Sequence, residues 1–274
     1  MKTATAATVV AALAASALAD IRTGFEGPTY VGSAAGTVAT GQDGWTLPAG
    51  IDANIFTYAG NAPGFAINPT GGDQFIGGRS NGGTDFARAQ HTNDFTTDNR
   101  WLLAYDFAAL WDGTPPSAAN LSSFSLQDSV AARSFIALNN WTDNADPSLG
   151  WKAEYNVFDA AGAALVNQSP GAAWTNLTPN HWYRQATVID FSTNAILEVR
   201  LTDLTTNTTS VATPSGWFLL GGATPTQPMP TAVRFFHGGN AGNNMGWDNL
   251  VVIPGPSSLA LVGVGMLAMR RRRN

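Results

Sequence analysis

The sequence predicts an all-β fold, a two-sheet antiparallel β-sandwich of jelly-roll type. Short apolar runs are separated about every ten residues by Gly, Pro, Asn, Asp or Thr, and no stretch between the two ends of the chain has the period of a long amphipathic helix. From Asp20 to Ile253 there are 234 residues, which suits one large β-domain better than two domains.

The clearest strand pattern lies in 181–211. Apolar and polar residues alternate with a period of two, first through Tyr183–Ile189 and then through Leu197–Thr202, with turn residues at 192–194 and 205–207. This pattern predicts an antiparallel meander. Five further strands are predicted at Phe124–Leu126, Phe135–Leu138, Ala153–Phe158, Val233–Phe236 and Asp248–Ile253.

The first 19 residues have the features of a secretory signal peptide. Lys2 precedes an Ala- and Val-rich stretch, and Ala17-Leu18-Ala19 is the pattern of small residues that signal peptidase cleaves after. We therefore expect residues 1–19 to be removed, with cleavage between Ala19 and Asp20. The alternative is an N-terminal core helix.

Residues 254–274 combine three features in a fixed order. Pro254-Gly255-Pro256 is followed by an apolar segment, Leu259–Met269, which we expect to form a hydrophobic helix. A block of four arginines comes last: Arg270, Arg271, Arg272 and Arg273. The apolar segment partitions into a bilayer while the arginines stay on the cytoplasmic side. The predicted domains are thus 1–19, 20–253 and 254–274.

The composition excludes some classes of function. Once Lys2 and the four terminal arginines are set aside, nine basic residues remain against 19 acidic ones, a net charge of about −10, which argues against nucleic-acid binding. The chain contains no cysteine, so neither disulfides nor thiolate metal sites contribute, and the hydrophobic core must hold the fold.

The C-terminal segment resembles the PEP-CTERM sorting signals of bacterial surface and matrix proteins. Gly255 stands where the motif of that family usually has glutamate, so the motif is a variant. The resemblance implies an exosortase, a membrane transpeptidase that cuts near the proline motif and releases or transfers the exported domain. The alternative is a C-terminal anchor that is never cut, although the apolar segment is short against the ~20 residues of a spanning helix.

The exported domain resembles concanavalin A-like and carbohydrate-binding jelly rolls. The likeness rests on Gly24-Phe25-Glu26, on 181–191 and on Gly246-Trp247-Asp248-Asn249-Leu250. In carbohydrate-binding jelly rolls an early glutamate and an aspartate of the last strand share a structural Ca²⁺. The resemblance implies the same role for Glu26 and Asp248, with backbone carbonyls supplying further ligands.

The last predicted strand also places Asp248 by its own pattern. Asp248 shares its parity with Leu250 and Val252, so if those two face the core, the carboxylate points the same way and must be compensated. Either a cation or several hydrogen-bond donors would serve. The donor alternative is a carboxylate that caps a turn or accepts backbone N–H bonds.

The chain has nine tryptophans, and exposed aromatic rings can stack on sugars. Trp141 and Trp151 flank a polar loop and are the candidates for an exposed ligand-binding pair. We expect four others to lie in the core or on a sheet face: Trp45, Trp101, Trp182 and Trp217.

No convincing catalytic constellation is present. A glycosidase needs two carboxylates about 5 to 10 Å apart, and the predicted domain has only three glutamates, Glu26, Glu154 and Glu198. Residues 78–82 match the G-x-S-x-G nucleophile pattern, but a glycine-rich loop surrounds them instead of a strand followed by a helix. The three histidines show no metal-ligand spacing.

These observations predict an exported structural or adhesive protein, transiently anchored at its C-terminus and sorted to the cell envelope or extracellular matrix by signal peptidase and an exosortase-type transpeptidase. The alternative is a carbohydrate-binding module that recognises exopolysaccharide. A polysaccharide-degrading enzyme ranks third. No cofactor is expected other than structural Ca²⁺.

Overall fold

A computed structural model describes residues 20–79, 87–111, 120–128, 134–142, 150–225, 229–237 and 243–255. Side chains are described for these residues except at 79, 120, 134, 137–142 and 243. The predicted signal peptide and nearly all of the predicted sorting signal lie outside the described residues. Within the described part, no helix is long and apolar enough to cross a membrane.

Nearly all regular secondary structure in the described chain is β-strand. The strands are β1 Ile21–Thr23, β2 Thr37–Val38, β3 Trp45–Thr46, β4 Ile51–Asp52, β5 Asn54–Thr57, β6 Gln74–Arg79, β7 Ala87–Thr92, β8 Arg100–Trp111, β9 Asn120–Gln127, β10 Ser134–Thr142, β11 Trp151–Phe158, β12 Ala164–Gln168, β13 Tyr183–Asp190, β14 Ala195–Asp203, β15 Thr208–Ala212, β16 Ala232–His237 and β17 Asn243–Pro254. Two short 3₁₀ helices, Phe95–Thr97 and Ala172–Trp174, are the helices among the described residues.

The strands form two sheets. The first sheet has nine strands in the order β15-β14-β13-β8-β17-β6-β5-β2, with β1 also paired to β17. The second sheet has eight strands in the order β12-β11-β10-β9-β16-β7-β3, with β4 also paired to β7. All strand pairs are antiparallel except β4 with β7. The predicted two-sheet antiparallel sandwich is therefore confirmed.

The predicted meander is β13-β14-β15 in the first sheet. Strand β14 pairs with β13 on one side and with β15 on the other. Asn194 and Asn207, in the two predicted turns, both have a positive φ, of 58° and 56°. Asparagine tolerates this left-handed conformation better than most residues, which explains why the turns fall where the sequence places them.

The core lies between the two sheets and is rich in aromatic rings. Tyr105 of the first sheet meets Phe124 of the second at 4.3 Å between ring centroids, and Trp247 stacks on Phe235 at 4.8 Å. Side chains of period-two positions on both sheets interlock here, so burial of large apolar area holds a fold that has no disulfides.

Strand β17 departs from a regular strand at Asn249. The register against β8 shifts between Asp248 and Val251, and Asn249 has a φ of 48°. This bulge places Trp247 and Leu250 on the same side of the sheet, in the core between the sheets. The parity argument for Asp248 is therefore wrong about direction, because the carboxylate lies on the outer side of the first sheet.

Candidate functional site

The outer side of the second sheet carries polar side chains at the positions that alternate with the core. In β16, Val233 and Phe235 enter the core, and Arg234 and Phe236 therefore point outward. The same alternation places outward residues on the neighbouring strands. We call this set the polar face: Arg88, Gln90, Ser125, Gln127, Lys152, Glu154, Arg234 and Phe236.

Several members of the polar face are buried although they point away from the core. Gln90 is 5% exposed, Ser125 3% and Gln127 4%. Polar groups that lose water in this way need hydrogen-bond partners. The Gln127 amide donates to Ser125 Oγ at 2.6 Å, whereas Gln127 Oε1 is buried with no partner within the described part of the chain. This oxygen is enclosed by its neighbours, and leaving it unpaired carries a cost that a hydrogen bond would remove.

Arginine and an aromatic ring are also part of the polar face. Arg234 Nε and Nη2 donate to Gln90 Oε1 at 2.8 and 2.5 Å. The Arg88 guanidinium carbon lies 5.3 Å from the centroid of the Phe236 ring, and this ring is half-buried. Amide donors and acceptors next to a partly exposed ring can satisfy sugar hydroxyls and cover the apolar side of a pyranose.

At the far edge of the polar face, Lys152 Nζ lies 3.0 Å from Glu154 Oε1. Near its centre, burial lowers the pKa of Arg234, and the neighbouring charge of Arg88 lowers it further. Two arginines thus lie on adjacent strands near the centre of the polar face, and Asp52 of β4 lies opposite one of them, Arg88.

A second polar cluster lies on the outer side of the first sheet. Asp106 of β8 and Asp248 of β17 are directly opposite each other, and both are fully buried. Arg184 of β13 donates to Asp106 through Nε at 2.6 Å and Nη2 at 2.9 Å. We call Asp106 and Asp248 the carboxylate pair. One of its two members thus has a cationic partner.

The segment 58–73, between β5 and β6, covers the carboxylate pair. Asn68 donates to Asp106 Oδ2 at 2.9 Å and to Asp248 Oδ2 at 3.1 Å, and the Tyr58 hydroxyl donates to Asp248 Oδ2 at 3.0 Å. Backbone N–H of Asn249 donates to Asp248 Oδ1 at 2.7 Å. Asp248 therefore has several donors, which is the donor alternative that the sequence left open.

Burial determines the protonation of this cluster. Burial raises the pKa of Asp248 well above its ordinary value, and the Asp106 charge raises it further. The pKa of Tyr58 is raised by burial and by Asp248. For Arg184, burial lowers the pKa, but the Asp106 carboxylate outweighs it and the net direction is upward. The neutral form of Asp248 is thus favoured next to the ion pair of Arg184 with Asp106.

The predicted calcium ligands, Glu26 and Asp248, each lie against a glycine of the covering segment. We call these two residues, Gly71 and Gly72, the glycine cradle. A Cβ added to Gly71 would overlap Asp248 Oδ2, and one added to Gly72 would overlap the Glu26 carboxylate. Glu26 already accepts backbone N–H bonds from Asp73 and Gln74 at 3.0 and 3.3 Å. Among the described residues, no group of three or more His, Cys, Asp or Glu side chains could hold a metal. Calcium therefore stays a prediction.

The expectation that Trp151 is exposed is wrong. Its ring is fully buried between the sheets, 5.4 Å from Phe107, because β11 begins at this residue and its parity points into the core. The Trp141 side chain lies outside the described residues. Trp45, Trp101 and Trp182 are buried and Trp217 is partly buried, as expected.

The glutamates at 154 and 198, the G-x-S-x-G match and the histidines lie apart. Glu198 pairs with Arg200 on the first sheet, whereas Glu154 pairs with Lys152 on the second. Gly78 and Arg79 belong to β6, and the rest of the G-x-S-x-G match lies outside the described residues. His91 and His237 contact backbone carbonyl groups of Asp43 and Leu121.

At the chain ends, the described residues begin with Asp20 and finish with Gly255. Strand β17 runs to Pro254, one residue past the predicted boundary, and Gly255 N donates to Arg100 O at 2.6 Å. Ala19, Pro256 and the four terminal arginines lie outside the described residues.

Sequence reasoning missed most residues of both polar clusters. Arg234 lies between two core residues of a strand that was predicted correctly, so its outward position was available from the alternation. Asp106 interrupts the apolar strand Arg100–Trp111 and was a signal of the same kind. The pairing of Gln90 with Arg234 was not available, because the two are 144 residues apart.

No family model matches this chain, and no curated protein matches it either. The CBM2 module of the Lactobacillus casei BL23 phage J-1 evolved Dit is 12% identical, with 85% of this chain and 95% of the module covered and a TM-score of 0.47. A carbohydrate esterase from Shiga toxin-encoding bacteriophage phi24B is 13% identical, with 81% and 98% covered and a TM-score of 0.46. Lectin I from Ulex europaeus is 11% identical, with 74% and 92% covered and a TM-score of 0.42. Similarity at this level assigns neither a family nor a ligand.

Proposed function

We propose that this domain is a carbohydrate-binding module and that it recognises extracellular polysaccharide through the polar face. The observation that carries the proposal is the set of buried amide and hydroxyl groups at Gln90, Ser125 and Gln127, which point outward and leave Gln127 Oε1 without a partner. If the Gln127 amide turned outward on binding, a sugar hydroxyl would donate to this buried acceptor and remove the cost of leaving it unpaired.

Glycan binding is tested on an array of neutral and acidic polysaccharides, followed by calorimetry on the hits. We expect micromolar binding that Phe236→Ala and Gln127→Leu each weaken about tenfold, because one loses a stacking ring and the other loses two hydrogen-bonding groups. The matched control is Val211→Ala, an exposed position on β15 of the first sheet. Absence of binding to every polysaccharide would overturn the proposal.

We further propose that the domain acts at the cell envelope or in the extracellular matrix, where it is a structural or adhesive component. Support comes from the small-residue pattern that ends at Ala19 and from the order of proline motif, apolar segment and arginines at the C-terminus. Binding of exopolysaccharide would hold such a protein in the matrix after signal peptidase and an exosortase-type enzyme have removed the two ends.

A further inference from the structure

The cations of the described chain differ in what they contact. Five of them lie next to a carboxylate: Arg22 with Asp20, Arg100 with Asp190, Lys152 with Glu154, Arg184 with Asp106 and Arg200 with Glu198. Arg234 is different because its hydrogen bonds go to the neutral amide oxygen of Gln90. Among the described residues, its positive charge therefore contacts a dipole and no anion is paired with it.

The surroundings of Arg234 increase this imbalance. Arg234 is half-buried, and Arg88 lies one strand away on the same side of the second sheet. The register places Asp52 of β4 opposite Arg88, two strand spacings or about 10 Å from Arg234, and Asp52 Oδ1 accepts a hydrogen bond from the Thr40 N–H. Glu154 lies three strand spacings or about 14 Å away and already pairs with Lys152. Neither carboxylate is paired with Arg234, so Arg234 can take up an anion.

The groups next to Arg234 suit a carboxylate attached to a sugar ring. A guanidinium group is a planar fork of donors that matches a carboxylate, and partial burial strengthens the pairing. Ser125 is directly opposite Arg234 on β9, and Gln127 follows two residues later, so hydroxyl and amide groups lie beside the charge. Ring hydroxyls of the same sugar would meet these groups.

We infer that the polar face selects acidic, uronate-containing polysaccharide, and that Arg234 binds the carboxylate of the sugar. This inference rests on the proposed carbohydrate binding. It specifies the chemical class of the ligand, because a neutral glycan would leave the guanidinium group without an anion. The net acidic charge of the domain confines this attraction to the polar face and keeps the rest of the surface from binding polyanions.

The test measures binding of the full chain to four polymers: polygalacturonate, its carboxyl-reduced form, dextran sulfate and dextran. We expect polygalacturonate to bind at least about tenfold more tightly than the other three. Arg234→Gln should remove most of this preference and Arg234→Lys should remove part of it, because lysine keeps the charge but lacks the planar fork. Arg200→Gln is the control, since this arginine has its own carboxylate partner on the other sheet.

The outcomes separate the two proposals. Equal binding of polygalacturonate and its carboxyl-reduced form overturns the inference and leaves carbohydrate binding in place. Equal or tighter binding of dextran sulfate shows attraction to any polyanion and also overturns it. Failure to bind any of these polymers or any glycan of the array overturns the proposed function itself. The comparison among polymers uses the unaltered protein, so it decides the matter even if an Arg234 variant does not fold.

Discussion

At the scale of single residues, Asp248 shows how one backbone angle redirects a side chain. The sequence predicted correctly that this carboxylate is buried and needs compensation. The positive φ of Asn249 then reverses the side of the sheet on which Asp248 lies. Asp248 faces the covering segment 58–73 and the second carboxylate, Asp106, instead of the core between the sheets.

This position predicts a dependence of stability on pH. Burial, and then the charge of Asp106, raise the pKa of Asp248, so the folded chain holds a proton that the unfolded chain releases at about pH 4. Its contribution to stability is full below about pH 4 and is lost as the pH rises through the folded-state pKa. We expect Asp248→Asn to flatten the decrease in unfolding free energy between pH 4 and 8, as measured by urea unfolding.

Asp73→Asn is the matched control, because Asp73 is an exposed carboxylate at the end of the same segment. It should leave the pH dependence as in the unaltered protein. Identical slopes for Asp248→Asn, Asp73→Asn and the unaltered protein would contradict a raised pKa at Asp248.

At the scale of elements, the segment 58–73 covers the outer side of the first sheet. Tyr58 and Phe65 pack against Phe75 and Trp182, and the Trp182 indole N–H donates to Ala66 O at 2.8 Å. Glycine at 71 and 72 lets the chain pass close to Asp248 and Glu26. Aromatic packing thus holds one part of the segment against the first sheet, and hydrogen bonds to the carboxylate pair hold another part.

We propose that this cradle takes up structural Ca²⁺, with Glu26 and Asp248 as its charged ligands. A divalent cation would replace the proton of Asp248 and bridge β17 to the start of the chain. Adding millimolar Ca²⁺ should raise the melting temperature, by about 2–4 °C for each kcal/mol by which the bound ion increases the free energy of unfolding. Asp248→Ala should abolish this rise and Asp190→Ala, at a carboxylate paired with Arg100, should retain it. An unchanged melting curve of the unaltered protein on adding Ca²⁺ or a chelator would rule the site out.

At the scale of the whole molecule, the two outer sides of the sandwich have different characters. The segment 58–73 covers the outer side of the first sheet, where the carboxylate pair accepts hydrogen bonds from residues of the chain itself. The second sheet presents the polar face. The first sheet therefore contributes to stability, and the second provides the surface on which we place recognition.

Strand β17 occupies the middle of the first sheet and ends at Pro254, the first residue of the predicted processing motif. Cleavage within Pro254-Gly255-Pro256 would leave this strand nearly whole, so the domain should survive processing. We expect the protein recovered from the cell surface to begin at Asp20 and to end close to Pro254, as determined by intact mass. A mass that includes the four terminal arginines would show that the C-terminal segment is an uncut anchor.

Much of the fold followed from local pattern. The meander of β13, β14 and β15 was predicted with its turns, because period-two alternation and asparagine turns are properties of neighbouring residues. Trp151 was misplaced because proximity to a polar loop says little about parity within a strand. In the structure it begins β11 and points into the core.

The sequence by itself determined the class of fold, the strand-and-turn order and the need to compensate a buried carboxylate in the last strand, since all three depend on residues close together in the chain. Only the tertiary structure decided which polar groups meet. Arg234 reaches Gln90 across 144 residues and Asp248 reaches Tyr58 across 190. Such contacts depend on the order of strands in a sheet and on a single bulge, which alternation along one strand does not encode.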